Sequence, residues 1–339
     1  MMSGARLRAG AAGLASLPVT LFGLILVTFL IGRAVPIDPV LAIVGDHAPA
    51  DVVARARAEL GLDQPLIIQF WIYLRHLAQF DLGNSVMTQQ PVTSDIAQYF
   101  PPTLELATAA MIIALAVGVP LGVLSAWWRG SWFDHGVRLL TLVGQSVPVF
   151  VLALLALLIF YVKLDIAPGT GQIDVIYQGI VPPFTGMLVV DAALDRQWDV
   201  MADALSHLAL PALVLAYFSL APVARLTRSF MQDALSGEYI ITARAKGLSG
   251  ARILWRHAFG NVAVPLVTVV VLAYANLLQG AVLTETVFSW PGLGQYLTVS
   301  LLNADLNAVL GATLVVGFFY VVLNLLADLA YRLLDPRVQ

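Results

Sequence analysis

Cysteine is absent from the 339 residues, which removes disulfides and thiolate metal sites and leaves the redox compartment open. Charge is scarce: Asp, Glu, Lys and Arg together make up 12% of the chain, about half the share of a soluble domain. No Gly-x-x-x-x-Gly-Lys-Ser/Thr phosphate cradle occurs, so an ATP-driven activity has to draw its energy from a separate protein. The histidines His47, His76, His135, His207 and His257 lack the i, i+3 or i, i+4 spacing that sets two ligands on one helix face. Apolar and polar residues do not alternate, which argues against a membrane barrel. No internal repeat or low-complexity tract stands out, and this weighs mildly against a repeat-built secondary transporter.

What is present is apolar. Hydrophobic residues fill 59% of positions and gather into six uncharged stretches, at 9–32, 106–128, 139–162, 205–224, 261–284 and 306–327. About twenty such residues span a bilayer core as a helix, because backbone groups in lipid must bond within their own segment. The first stretch follows Arg6 and Arg8 as a signal peptide would, but its apolar part is long for a signal core and no small-x-small cleavage site precedes Pro36. It is read as a span. The expected fold is all-α and integral to the membrane, with six transmembrane helices.

Lys and Arg mark the cytoplasmic side of short loops. Placing the N-terminus in the cytoplasm puts twelve of the 18 basic residues on that side: Arg6, Arg8, Arg129, Arg138, Arg225, Arg228, Arg244, Lys246, Arg252, Arg256, Arg332 and Arg337. Both termini are therefore expected inside, in a multi-pass membrane protein. The expected organisation is a tail and first span at 1–35, an external helical cap at 36–103 with helices near 50–60 and 66–80, a core of five spans at 104–335, and a short tail at 336–339. The segment 163–204, acidic and rich in Pro and Gly, reads as an irregular external loop.

The basic cytoplasmic loop 225–260 is the most informative segment. Ser236 is placed to cap a short helix with Glu238 in its first turn, Arg244 and Lys246 in its last, and Gly247 as a left-handed stop. A rod of about 15 Å is too short to hold itself together in water. Ser249 is placed to cap a second short helix running through Arg252, Arg256 and His257 toward Asn261 and Pro265. Ala243, Ala245 and Gly247 leave room for another protein's surface. The alternative is a basic loop that merely satisfies the positive-inside rule and anionic headgroups.

The run Glu238-Tyr-Ile-Ile-Thr-Ala-Arg-Ala-Lys-Gly247, continuing through Arg256-His257 and Asn261 to Pro265, resembles the EAA loop of ABC importer permeases of the peptide (dipeptide, oligopeptide, nickel) type. Further pieces of the same pattern are Asp38-Pro39, Glu59-Leu-Gly-Leu-Asp-Gln-Pro65, Asp81-Leu-Gly83 with Ser85, Pro102-Thr-Leu-Glu-Leu106, Glu285-Thr-Val-Phe-Ser-Trp-Pro-Gly-Leu-Gly294 and Asp335-Pro-Arg337. Two positions depart from it: Ile241-Thr-Ala243 replaces Glu-Ala-Ala, and Phe80 stands where Gly is usual. The resemblance implies a non-catalytic permease subunit of a binding-protein-dependent importer in the bacterial inner membrane, carrying di- or oligopeptides. It implies no bound cofactor, with ATP and magnesium used by two cytoplasmic ATPase subunits. The remaining implied partners are a second homologous permease, an external substrate-binding protein and membrane lipid, with no nucleic acid. It assigns contact with the ATPase to Glu238, Tyr239, Thr242, Ala243, Arg244, Ala245, Lys246, Gly247, Arg256, His257, Asn261 and Pro265.

Two other chemistries compete. Ser146 in the third span and His207 near the start of the fourth could form an intramembrane protease pair, although Ser146 is expected to bond its own helix and His207 to lie at the outer interface. An ion-coupled carrier needs carboxylates inside its spans; Glu285 and Asp328 read instead as span-end residues reached by water or headgroups. The break at Trp290-Pro-Gly-Leu-Gly294 suits a turn with Trp290 as an interface anchor, or a gate.

Overall fold

A computed structural model describes residues 3–34, 40, 48–59 and 61–334. Asp38, Pro39, Leu60, Asp335–Arg337 and the 336–339 tail lie outside the described residues, as do the side chains of Arg6, Arg8, Asp328 and Arg332. The described residues are mostly helical, and no strand occurs among them. In order, the helices are α1 (Ser3–Ala34), α2 (Ala50–Glu59), α3 (Leu66–Ala78), α4 (Val92–Trp127), α5 (Trp132–Ser146), α6 (Val149–Ala156, extended by a π-helical turn, Leu157–Lys163), α7 (Leu188–Leu194), α8 (Trp198–Leu235), α9 (Glu238–Ala245), α10 (Gly250–Phe288), α11 (Leu293–Leu302) and α12 (Leu306–Leu334). The helices α4, α8, α10 and α12 are each long and apolar enough to cross a membrane.

The third stretch, 139–162, is not one rod. Its halves, α5 and α6, meet at a 101° bend. Pro148 has no N–H to donate and crowds the residue before it; Val147 accordingly sits extended at φ −97°, ψ 125°. The two halves count as a fifth candidate span only if the bent pair crosses as a unit.

At the centre, α4 and α8 share the most extensive contact of any helix pair. Gly118 and Gly122 stand one turn apart on α4 and let the backbones close up: a Cβ at Gly122 would lie 2.6 Å from the Ala224 carbonyl oxygen and 2.7 Å from Thr227 Cβ. This is small-residue packing of the kind used where lipid supplies no hydrophobic drive between helices. In the apolar window of α8, 67% of residues are buried inside the chain, against 17% in α12. The helix α8 is thus the core element, while α12 keeps an apolar flank for other contacts. One side of α12 is covered by α1, where Leu24 fits against Gly317 and Leu310 against Gly32. The helices expected at 50–60 and 66–80 form, and α3 reaches α1 through an edge-on contact of Phe70 with Phe22 and Phe29.

Candidate functional site

The elbow between α8 and α10 forms, with corrections to its punctuation. The helix α8 runs on to Leu235, and Ser236 closes it: the Ser236 backbone N–H donates to the Gln232 carbonyl at 3.2 Å and its hydroxyl to the Asp233 carbonyl at 2.7 Å. Ser236 is therefore spent on the outgoing helix, and the N-cap position of α9 falls to Gly237, which has no side chain to cap with. Gly247 takes the left-handed conformation at φ 73°, as the stop requires. Ser249 occupies its extended N-cap position, but its hydroxyl makes no capping bond. The expected second short helix is absent as a separate unit. From Gly250 the chain passes through a π-helical stretch at Ile253–Ala258 straight into α10, and Pro265 lies inside that continuous helix. The elbow is thereby rigidly continuous with a 39-residue helix, about 58 Å long.

What holds so short a helix is its underside. Ile240 (1% exposed) and Ala243 (6%) pack with Ile253, Leu254, Ala258 and Val262 against Val123 and Ala126 of α4 and Met231 of α8. Trp127 closes the seat, its ring 3.1 Å from where a Cβ of Gly250 would stand. Fully burying an isoleucine contributes roughly 2–3 kcal/mol, enough to offset the poor intrinsic stability of two helical turns. Glu238, Tyr239, Thr242, Arg244, Ala245, Lys246 and Gly247 face outward, as do Arg256 and Asn261; His257 and Pro265 are half-buried. Ala243 belongs to the seat and not to the outer face, which corrects the expectation that it admits a partner. Sequence reasoning also missed Ile241, 66% exposed on the outer face. Its signal was available: an apolar residue offset from the buried Ile240 and Ala243 stripe lies on the far side of a helix.

Beside the elbow, Asp134 at the start of α5 is locked to Arg228 of α8 by two bonds, Nε to Oδ1 at 2.7 Å and Nη2 to Oδ2 at 2.8 Å. The Ser125 hydroxyl and the Gly130 N–H also donate to this carboxylate, at 2.6 and 3.0 Å. A bidentate guanidinium with all remaining lone pairs satisfied is the arrangement in which a buried ion pair holds geometry. It ties together α4, α5 and α8 next to the elbow.

At the opposite end of α10 the expectations for Glu285 and Trp290 are overturned. Glu285 is fully buried. Its carboxylate accepts from the Thr103 hydroxyl at 2.7 Å and from the backbone N–H groups of Gly294 and Gln295 at 2.7 and 3.1 Å, at the start of α11. Trp290 is no interface anchor: it is fully buried, with its indole N–H donating to the Pro102 carbonyl at 3.0 Å. The turn that places both is made by Ser289, left-handed at φ 50°. Glu105 likewise accepts from the Val189 N–H and the Gln172 amide, at 2.7 and 3.0 Å. Asp305 binds Ser85, and Asp95 binds Thr88 and Tyr296. Buried carboxylates are thus more numerous than the sequence suggested, and each accepts at least two hydrogen bonds from fixed donors.

The protease pair does not assemble. The Ser146 hydroxyl donates to the Leu142 carbonyl of its own helix at 2.8 Å, and His207 engages Asp203 one turn back in α8.

Long apolar helices, a core helix pair closed by glycines and a seated elbow joining two of those helices define a polytopic helical membrane protein. Residues 118–339 match the family model described as "Binding-protein-dependent transport system inner membrane component", and residues 13–107 match the corresponding N-terminal model, "Binding-prot-dependent transport system membrane comp, N-term". The chain belongs to this family, whose members are the membrane components of such transport systems. It is 46% identical over 318 residues, 93% of each chain, to the probable D,D-dipeptide transport system permease protein DdpB of Escherichia coli (strain K12). It is 41% identical over 321 residues to the di/tripeptide transport system permease protein DppB of Pseudomonas aeruginosa (strain UCBPP-PA14), covering 94% of this chain and 95% of the relative. Against the dipeptide transport system permease protein DppB of Escherichia coli (strain K12) the identity is 40% over 322 residues, with the same coverage.

Proposed function

We propose that this chain is one of two homologous permease subunits of an ATP-driven importer of di- or oligopeptides, and that α9 is its coupling helix. In this reading α1 and the α5–α6 pair complete six spans, both termini lie in the cytoplasm, and the region 36–103 forms an external cap. An external binding protein delivers the peptide, and two cytoplasmic ATPases drive the cycle. The elbow 225–260 transmits their closure: α9 is pushed, and α8 and α10, to which it is joined, tilt and switch the path between the two permeases. Peptide as cargo is supported by the dipeptide and di/tripeptide transport systems to which relatives matching over more than nine tenths of the chain belong.

The observation that carries the coupling role is the two-sided α9. Its inner side is seated on α4, α8 and α10, while Tyr239, Ile241, Arg244 and Lys246 stand outward. A rigid seat with an exposed apolar and cationic face is what force transfer through a docked partner requires. Changing Arg244 and Lys246 together to Glu leaves the seat untouched. Peptide uptake should fall to background in cells carrying this variant, with membrane insertion at the wild-type level; uptake at the wild-type rate would refute the coupling role.

A further inference from the structure

On the elbow side of the molecule, between α5 and α8, lies a cavity of about 950 Å³. Its wall carries Arg129, Arg138, Arg225, Arg228 and His135, against a single acid, Asp134. That acid is taken up by Arg228. Arg225 reaches only an uncharged partner, donating to the Gln145 side-chain oxygen at 2.8 Å. Arg129 and Arg138 form no ion pair with a described carboxylate. The cavity therefore holds an uncompensated positive charge. Between Arg138 and the Gln145 that holds Arg225, the α5 wall presents Leu139 and Leu142, each 63% exposed, and Trp132, 94% exposed, stands at the start of the same helix.

We propose that this cavity binds the headgroup of an anionic phospholipid, its phosphate facing Arg129, Arg138 and Arg225 and its acyl chains lying along Leu139 and Leu142. A wall of unpaired guanidiniums with exposed leucines among them offers charge to a phosphate and apolar contact to an acyl chain, and basic pockets between membrane helices hold such headgroups. A site on the peptide's route fits the same wall poorly. A conduit must release what it binds, and several unpaired guanidiniums would retain the carboxylate of a zwitterionic peptide while repelling its ammonium group. The inference rests on the proposed function only for which leaflet supplies the lipid.

The test uses the full chain in its purified complex, titrated with short-chain phosphatidylglycerol, and with short-chain phosphatidylcholine as control, by native mass spectrometry. Wild type should bind phosphatidylglycerol well above phosphatidylcholine. Arg138→Gln with Arg225→Gln should weaken that binding about thirty-fold, from the usual contribution of two guanidiniums near a headgroup, and Arg138→Lys with Arg225→Lys should restore most of it. Both variants leave Asp134 and Arg228 in place, and a wild-type elution profile with retained Lys-variant binding excludes misfolding. Equal binding by the wild type and the Gln variant overturns the proposal. Displacement of the lipid by millimolar inorganic phosphate would assign a free-anion site, and displacement by a dipeptide would assign the route; either overturns it. Because the readout is lipid retention and not uptake, failure of the importer reading leaves this test intact.

Discussion

Ile240 and Ile241 are neighbours in sequence with the same side chain, and the structure gives them opposite surroundings. Ile240 is 1% exposed in the seat beneath α9, whereas Ile241 is 66% exposed on its outer face. Truncating Ile240 to Ala removes three buried carbons, worth about 0.8 kcal/mol each by transfer or ~2.4 kcal/mol together. The cavity left under α9 adds to this, so the total should fall near 3 kcal/mol, within the ~2–5 kcal/mol range for such core truncations. The melting temperature of the purified subunit should drop by several degrees. Truncating Ile241 to Ala has little buried area to lose and should leave the melting temperature unchanged, while weakening capture of the ATPase by roughly fivefold or more, as expected of an apolar contact at an interface. The assay pairs thermal unfolding, followed through intrinsic tryptophan fluorescence, with pull-down of the proposed ATPase partner by this chain. If the two variants melt alike, or if Ile241→Ala holds the ATPase as tightly as wild type while Ile240→Ala does not, the two-sided account of α9 is refuted.

Gly122→Ala should destabilise by about 1–3 kcal/mol through overpacking against Ala224 and Thr227, whereas Gly136→Ala, which meets nothing within 4 Å, should be neutral or gain up to ~1 kcal/mol from helix propensity. Equal melting temperatures for the two would contradict the close packing of α4 on α8. Asp134→Asn leaves Arg228 without its charge partner and should cost toward the low end of the ~3–5 kcal/mol seen for broken buried pairs, since Arg228 retains 21% side-chain exposure. In a double-mutant cycle, Asp134→Leu with Arg228→Met should recover part of that loss; strict additivity would mean that the pair does not act as one. In the turn after α3, the bond from His76 Nδ1 to Asp81 and then the Gly83 N–H hold the Asp81 carboxyl below the ordinary carboxylate range. A depressed folded value means that this contribution is fully present above the usual pKa of about 4 and is lost as pH falls through the lower one. The protection factors of the amides in residues 81–90, taken relative to the intrinsic exchange rate at each pH, should therefore fall on acidification in this window, and Asp81→Asn should show low protection already at neutral pH; a variant with the wild-type profile would count against the turn's dependence on this carboxylate.

The long helices were legible because length and apolarity are one-dimensional properties: a segment without charge over twenty residues, in 106–128 or 306–327, has few places to go but lipid. The elbow was legible in outline for a related reason, since Gly247 and the flanking cations mark where a helix stops. Its exact punctuation was not. Ser236 satisfies the rule for a start and the rule for an end equally well, and only the extension of α8 to Leu235 chose the end.

The same limit applies to the charges. Sequence places Glu285 at a span terminus, and a terminus is normally wet; its burial is decided by Thr103, nearly two hundred positions away, and by the N–H groups of Gly294 and Gln295 that the Ser289 turn swings back over it. Trp290, Asp95 and Asp305 were hidden for the same reason. Chain composition and periodicity alone determined that this protein lives in a bilayer and where its elbow falls. Which side of α9 is buried and which is exposed, that the third apolar stretch bends beyond a right angle, and where the guanidiniums converge were decided only in three dimensions, because each depends on partners from distant segments whose meeting no local pattern encodes.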